Sequence, residues 1–135
     1  MQLVIDANIL ISALLKDGIT RELLLDGELI LYTPEFIIDE FFKHISLLAN
    51  KAQTTKHALM DIAKVLIVES NITIISKDDV RSYIKKAEQI SPDPDDVMYF
   101  AVALKLYCSI WSNDKKMKNQ KHVSIYATHD LMKLL

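Results

Sequence analysis

Short apolar runs alternate along this chain with longer segments whose apolar residues recur every three or four positions. The runs "LVI", "LILY", "ITII", "CSIW" and "VSIY" predict five short strands. Between the first two, "NILISALLK" predicts a helix that stops near Gly18, and "TRELLL" a short helix with Thr20 as cap, ending near Gly27. Thr33-Pro34-Glu35 predicts a helix start, with Thr33 as cap and Pro34 in the first helical position, running to about Asn50. "TTKHALMDIAKVLIV" predicts another helix with Leu59, Ile62, Ala63 and Leu66 on its apolar stripe. "DDVRSYIKKAEQI" places Val80, Tyr83, Ile84 and Ala87 on one side of a helix. The dense turn cluster "SPDPDD" leads into the strongly apolar helix "VMYFAVALKLY", and "THDLMKLL" closes the chain as a helix capped by Thr128.

Helices alternating with short apolar strands predict a three-layer α/β/α domain around a mainly parallel sheet. Parallel strands are covered on both faces and need not alternate polar with apolar residues. No repeat or linker divides residues 1–135, so one domain is expected. Composition agrees: half the residues are hydrophobic, enough for a core, and 2 Gly and 3 Pro argue against disorder. The lone Cys108 excludes an internal disulfide framework and a cysteine-rich zinc site. No basic segment precedes the first apolar run, Asp6 interrupts it, and no run is long enough to span a membrane. A cytoplasmic protein without a membrane partner is expected.

The acidic residues change the picture. Ligands of parallel α/β folds gather beyond the carboxyl ends of the strands. Asp6 ends the first predicted strand, and Asp114 follows the fourth, with Ser112 in the same turn. Each acid taken alone reads as an Asx-turn or helix cap. Their equivalent strand-end positions suggest a shared site. Glu40 lies three and four residues after Ile37 and Phe36, at the edge of the apolar side of its helix. A carboxylate there is costly unless paired or metal-bound. Its alternative is an ion pair with Lys43 or His44, whereas Asp39 is expected to pair with Lys43. In "SPDPDD", Asp93 reads as an N-cap and Asp96 as the third helical residue beside the packed side. Capping accounts for one or two of Asp93, Asp95 and Asp96, and poorly for all three. Four acids in one cleft need protons or a cation, and hard carboxylate oxygens suit Mg²⁺ or Mn²⁺.

Net charge is −2, which does not advertise nucleic-acid binding. The charge is uneven, however. "NDKKMKNQKH" concentrates Lys115, Lys116, Lys118, Lys121 and His122, and a looser group holds Lys43, His44, Lys51, Lys56 and His57. Either group is a solvated surface or a phosphate-facing rim. Tyr99, Phe100 and Trp111 sit in apolar elements and read as core rather than as base-stacking platforms. His129-Asp130 has no Ser or Cys nucleophile motif to accompany it.

Four stretches together resemble the PIN domain family, nucleases found in many prokaryotic toxins and in RNA-processing proteins. "VIDANILISALL" is similar to the family's opening strand, acid, Asn and helix. "TPEFIIDE" resembles the second acidic motif, "DPDDVMYFAVAL" the third, and "IWSNDKKM" the fourth. Residue by residue, the resemblance implies metal ligation by Asp6, Glu40, Asp96 and Asp114. Asn8 would hold the first acid or the substrate, Ser112 would support the last acid, and Asp93 or Asp95 would be auxiliary. Asp93 stays the rival of Asp96 as third ligand. The implied activity is Mg²⁺- or Mn²⁺-dependent endoribonuclease, with RNA as substrate and Lys43, Lys115, Lys116 and Lys118 as backbone contacts. The resemblance also implies, as partners, a protein antitoxin and a second copy in a homodimer. Two other readings share these residues: a non-catalytic RNA-binding or assembly domain of the same fold, and a metal-dependent DNA nuclease or phosphohydrolase.

Overall fold

A computed structural model describes residues 1–135. Five strands form one fully parallel sheet: β1 (Gln2–Ile5), β2 (Ile30–Pro34), β3 (Thr73–Ile75), β4 (Ser109–Trp111) and β5 (Ile125–Tyr126), in the order β3-β2-β1-β4-β5. Val4 pairs with Tyr32 on one side and with Ile110 on the other, so β1 is central. All five predicted strands are present, each within two residues of its predicted bounds.

Seven helices complete the layers: α1 (Ala7–Leu15), α2 (Ile19–Leu24), α3 (Phe36–Lys51), α4 (Lys56–Glu69), α5 (Ile84–Ile90), α6 (Val97–Leu106) and α7 (Thr128–Leu134). The pleat sorts the strand residues between two cores. Leu3, Ile5, Leu31 and Trp111 pack with buried residues of α1, α3, α4 and α7. Val4 and Ile110 face the other way, into α5, α6 and Val80 of the 3₁₀ turn Asp78–Tyr83. The order of strands reverses between β1 and β4. Their carboxyl ends therefore open a crevice at the topological switch point, where parallel α/β sheets bind ligands.

Several helix boundaries differ from those predicted. Thr33 and Pro34 belong to β2 and do not start α3. Pairing with β3 carries β2 further, to Pro34 opposite Ile75, and the Thr33 hydroxyl donates to the Ile5 carbonyl at 3.0 Å instead of capping. α1 ends at Leu15, ahead of Gly18, because the Arg21 guanidinium donates to the carbonyls of Ala13 (2.7 Å) and Leu14 (3.0 Å). Thr20 lies inside α2, whose cap position is Gly18. Thr128 is the first residue of α7 and accepts the Trp111 indole N–H at 3.1 Å. The cap comes from Asp130, whose carboxylate accepts the Ala127 N–H at 2.9 Å. Ile62 and Tyr83 are exposed although their stripe neighbours Leu59, Ala63 and Ala87 are buried.

α6 stops at Tyr107, which adopts the left-handed conformation with φ 54° and is 98% exposed. This geometry costs an L-residue with a Cβ about 1 kcal/mol, and the exposed ring recovers little of it. Tyr107→Gly is expected to raise stability by roughly 0.5–1 kcal/mol, partly offset by a more flexible unfolded chain. Urea denaturation measures it as a higher midpoint with an unchanged slope.

Candidate active site

At the crevice, β1 delivers Asp6 directly into the first turn of α1. Its Oδ1 accepts the Ile9 N–H at 3.0 Å, so the residue is a genuine N-cap. Its other oxygen accepts the hydroxyl of Ser112, which leaves the end of β4. Ser112 Oγ in turn accepts the Asp114 N–H at 3.0 Å. One buried hydroxyl thus ties the first acid to the backbone of the last, across the switch point. Asp6 is 4% exposed and Ser112 1%. Burial pushes the Asp6 carboxyl upward, opposed by the Ser112 and Ile9 hydrogen bonds, with the charge of Asp114 adding to the rise. Ser112→Ala leaves Asp6 short of a donor, and a loss of about 1–3 kcal/mol is expected, read by thermal or urea unfolding. Ser112→Thr, which keeps the hydroxyl, tests whether that loss follows the hydrogen bond.

The third acidic segment is built by capping. Asp93 Oδ1 accepts the Asp95 N–H at 2.9 Å, and Pro94 opens a 3₁₀ turn that ends at Asp96. Helix α6 begins only at Val97, so Asp96 stands at its entrance rather than in its third position. Its carboxylate makes no capping bond. Burial, then the charges of Asp93, Asp114, Asp6 and Asp95, push its pKa up to about 6. Asp93 is thereby committed as the cap, while Asp96 is left facing other acids.

A cleft of about 320 Å³ receives Asp6, Asn8, Glu40, Asp95, Asp96 and Asp114 together. All four acids expected as ligands line it, from the cap of α1, from α3, from the entrance to α6 and from the segment after β4. Tyr99 and Phe36 form its wall, their ring centroids 5.0 Å apart. The Tyr99 hydroxyl accepts the Ala7 N–H at 3.0 Å and so fixes the start of α1 beside Asp6. The sequence pattern places this ring in the core, and it is 3% exposed there. Its position three residues after Asp96 is the signal that places its hydroxyl at the strand ends.

Glu40 keeps its alternative partners: Lys43 Nζ lies 3.4 Å from one oxygen, and His44 Nε2 3.9 Å from the other. Lys43 pairs with Glu40 and not with Asp39 as expected. Lys115, Lys116 and Lys118 are exposed on the 3₁₀ turn Lys115–Lys118, and Asp114 Oδ1 accepts the Lys116 N–H at 3.0 Å. Lys118 reaches Asp130 at 3.4 Å. His129 is an exposed neighbour of Asp130, and Phe100 and Trp111 are wholly buried.

As the side chains stand, no three of the acids are close enough to hold one metal ion between them. Asp6 is turned toward Ser112 and Ile9, and Glu40 toward Lys43 and His44. The donor set nevertheless fits Mg²⁺ or Mn²⁺: it consists of carboxylate oxygens with no thiolate, and two of its members are held above the usual carboxylate range by burial and mutual repulsion. A cation would relieve that repulsion.

No helix is long and apolar enough to cross a membrane. No curated protein matches the sequence. A solved chain does match in structure, at TM-score 0.71 and 14% identity, over 94% of this chain and 98% of the other. It comes from a crystal structure of VapBC2 from Rickettsia felis bound to a DNA fragment from their promoter. That likeness concerns the fold. The sequence model of the PIN domain matches residues 4–128, which span all four acidic stretches, and the chain therefore belongs to the PIN domain family.

Proposed function

We propose that the protein is a Mg²⁺- or Mn²⁺-dependent endoribonuclease that hydrolyses RNA phosphodiester bonds. The observation that carries the reading is the gathering of Asp6, Glu40, Asp96 and Asp114, from four separate parts of the chain, around one cleft at the switch point. These four residues would hold the cation, with Asn8, Asp93 and Asp95 as auxiliary groups. When bound there, the ion supplies Lewis acidity toward a phosphate oxygen and lowers the pKa of water.

The rest of the chemistry belongs to the chain. Ser112 fixes the direction of the Asp6 carboxylate and the course of the backbone at Asp114. Tyr99 and Phe36 close one wall and limit water there. Lys43 offsets Glu40 and is free to turn toward an arriving phosphate, since an exposed ion pair of this kind holds it by less than about 1 kcal/mol. Lys115, Lys116 and Lys118 offer backbone contacts that are salt-sensitive and indifferent to sequence. The fold shared with a VapBC2 chain supports a protein partner that restrains the nuclease as an antitoxin restrains a toxin. A homodimer acting in the cytoplasm is part of the same proposal.

Incubation with a mixed RNA substrate tests this reading. Cleavage is expected with Mg²⁺ or Mn²⁺, is expected to stop with a chelator, and should exceed cleavage of matched DNA. Preferred cleavage of DNA would move the assignment to a DNA nuclease. Binding of RNA with no cleavage under either ion would leave a non-catalytic domain.

A further inference from the structure

The acidic cleft is the middle of a row of cavities that share lining residues. On the β3 side it shares Phe36, Glu40 and Asp95 with a cavity of about 650 Å³, whose other charged residues are Glu35, Asp39 and Lys77. On the β5 side it shares Asp114 with a cavity of about 250 Å³ bearing Lys115, Lys118 and His129. That cavity shares Lys118 with one of about 390 Å³, bordered by Lys121, His122 and Tyr126. The two directions out of the cleft therefore carry opposite charge. Toward β3, four carboxylates face one lysine; toward β5, cationic side chains predominate.

The loop carrying Lys121 and His122 is held in shape by a single side chain. Gln120 Nε2 donates to the carbonyls of Met117 (3.0 Å) and Val123 (2.7 Å). Gln120 Oε1 accepts the N–H groups of His122 (2.8 Å) and Val123 (2.9 Å). The amide is thus committed to the loop's own backbone, and Lys121 and His122 are left exposed. Neither of them belongs to an ion pair, unlike Lys43 and Lys118. A loop whose backbone is held in place and whose cationic side chains are unpaired suits a polyanion, because the backbone loses little ordering entropy on binding. Tyr126 offers a ring beside it for a base.

We propose that residues 120–126 form an RNA subsite, with Lys121 and His122 as phosphate contacts, Gln120 as the positioning residue, and the single strand leaving the cleft toward β5. This deepens the nuclease reading and rests on it for the identity of the polyanion. The acidic β3 side would repel the strand, so the bound RNA extends in one direction.

The test is binding, separated from cleavage. A fluorescein-labelled 2′-O-methyl uridylate dodecamer is titrated with the full chain at several salt concentrations, in chelator so that the cation needed for hydrolysis is absent. Lys121→Ala combined with His122→Ala is expected to weaken binding about tenfold at low salt and to reduce the salt slope by about one. Gln120→Leu should weaken binding and lower the salt slope in the natural chain and add no further loss in the Lys121/His122 variant, and an equal further loss there would overturn its positioning role. Lys77→Ala should change binding less than twofold. Unchanged affinity and slope in the Lys121/His122 variant would overturn the proposal, as would an equal loss with Lys77→Ala or a natural chain that fails to bind the dodecamer. Cleavage lost through Asp6→Asn is scored separately, so the subsite can fail while the nuclease reading stands, and the reverse.

Discussion

Asp6→Asn and Asp96→Asn are each expected to lower divalent-dependent RNA cleavage by at least about a hundredfold, the scale on which single charge-stabilising groups act. The fold should survive both. In Asp6→Asn the new side chain keeps an oxygen for the Ile9 N–H, and its amide can donate to Ser112 Oγ where the carboxylate accepted from it. Asp96 makes no capping bond that Asn would lose. Asp93→Asn is the informative contrast. Asp93 accepts the Asp95 N–H, a role Asn performs as well, so its cleavage loss should be much smaller. A rate after Asp93→Asn as low as that after Asp96→Asn would reverse the order of ligand and cap. Rates are compared at equal folded fraction, checked by circular dichroism.

The second large effect is on stability, and it runs opposite to activity. Asp96 has its pKa raised from 3.8 to about 6 in the folded chain. Below 3.8 both folded and unfolded forms are protonated there, and Asp96 contributes no pH dependence. Between 3.8 and about 6 the folded form binds more protons, so stability falls as pH rises. Above about 6 the penalty is complete. Asp6 is shifted in the same direction by burial. In chelator, the melting temperature is therefore expected to fall from about pH 4 to about pH 7, apart from other groups that titrate in that range. Asp96→Asn should flatten this fall and melt higher than the natural chain at neutral pH, on the order of 5 °C. Saturating Mg²⁺ or Mn²⁺ should recover the loss in the natural chain, since ligand at a hundredfold its dissociation constant adds about 2.7 kcal/mol. A variant that gains heat stability while losing catalysis marks strain held at a working site.

The layers of this fold were legible because apolar runs between polar breaks dictate buried parallel strands, and all five runs became strands. The acids at strand ends were legible for the same reason: once β1 and β4 are known to be parallel and adjacent, Asp6 and Asp114 fall at the same end of the sheet, where they line one cleft. Caps were harder to read. Thr33 and Thr128 have the right chemistry, yet tertiary partners claim both hydroxyls: Thr33 binds the Ile5 carbonyl, and Thr128 receives the Trp111 N–H. Nothing local to Gly18 reveals that Arg21 folds back to end α1. Local spacing gives Glu40 two partners, the cleft and the Lys43/His44 pair, and the structure shows it at both. Its helical position puts it at the cleft, but whether it turns to a cation or to Lys43 depends on what occupies the cleft. Tyr99 is core, as its apolar helix predicts, and what the pattern does not reveal is that its hydroxyl reaches the Ala7 N–H at the site.

The nuclease reading requires that Asp6, Glu40, Asp96 and Asp114 share a divalent cation. Titration of the natural chain with Mn²⁺ at neutral pH, followed by electron paramagnetic resonance of the free ion, measures this without RNA. Saturable uptake is expected, weakened at least about tenfold by Asp6→Asn and by Asp96→Asn, as for loss of a group that binds or orients a metal. Uptake that is absent in the natural chain, or undiminished in both variants, would contradict it.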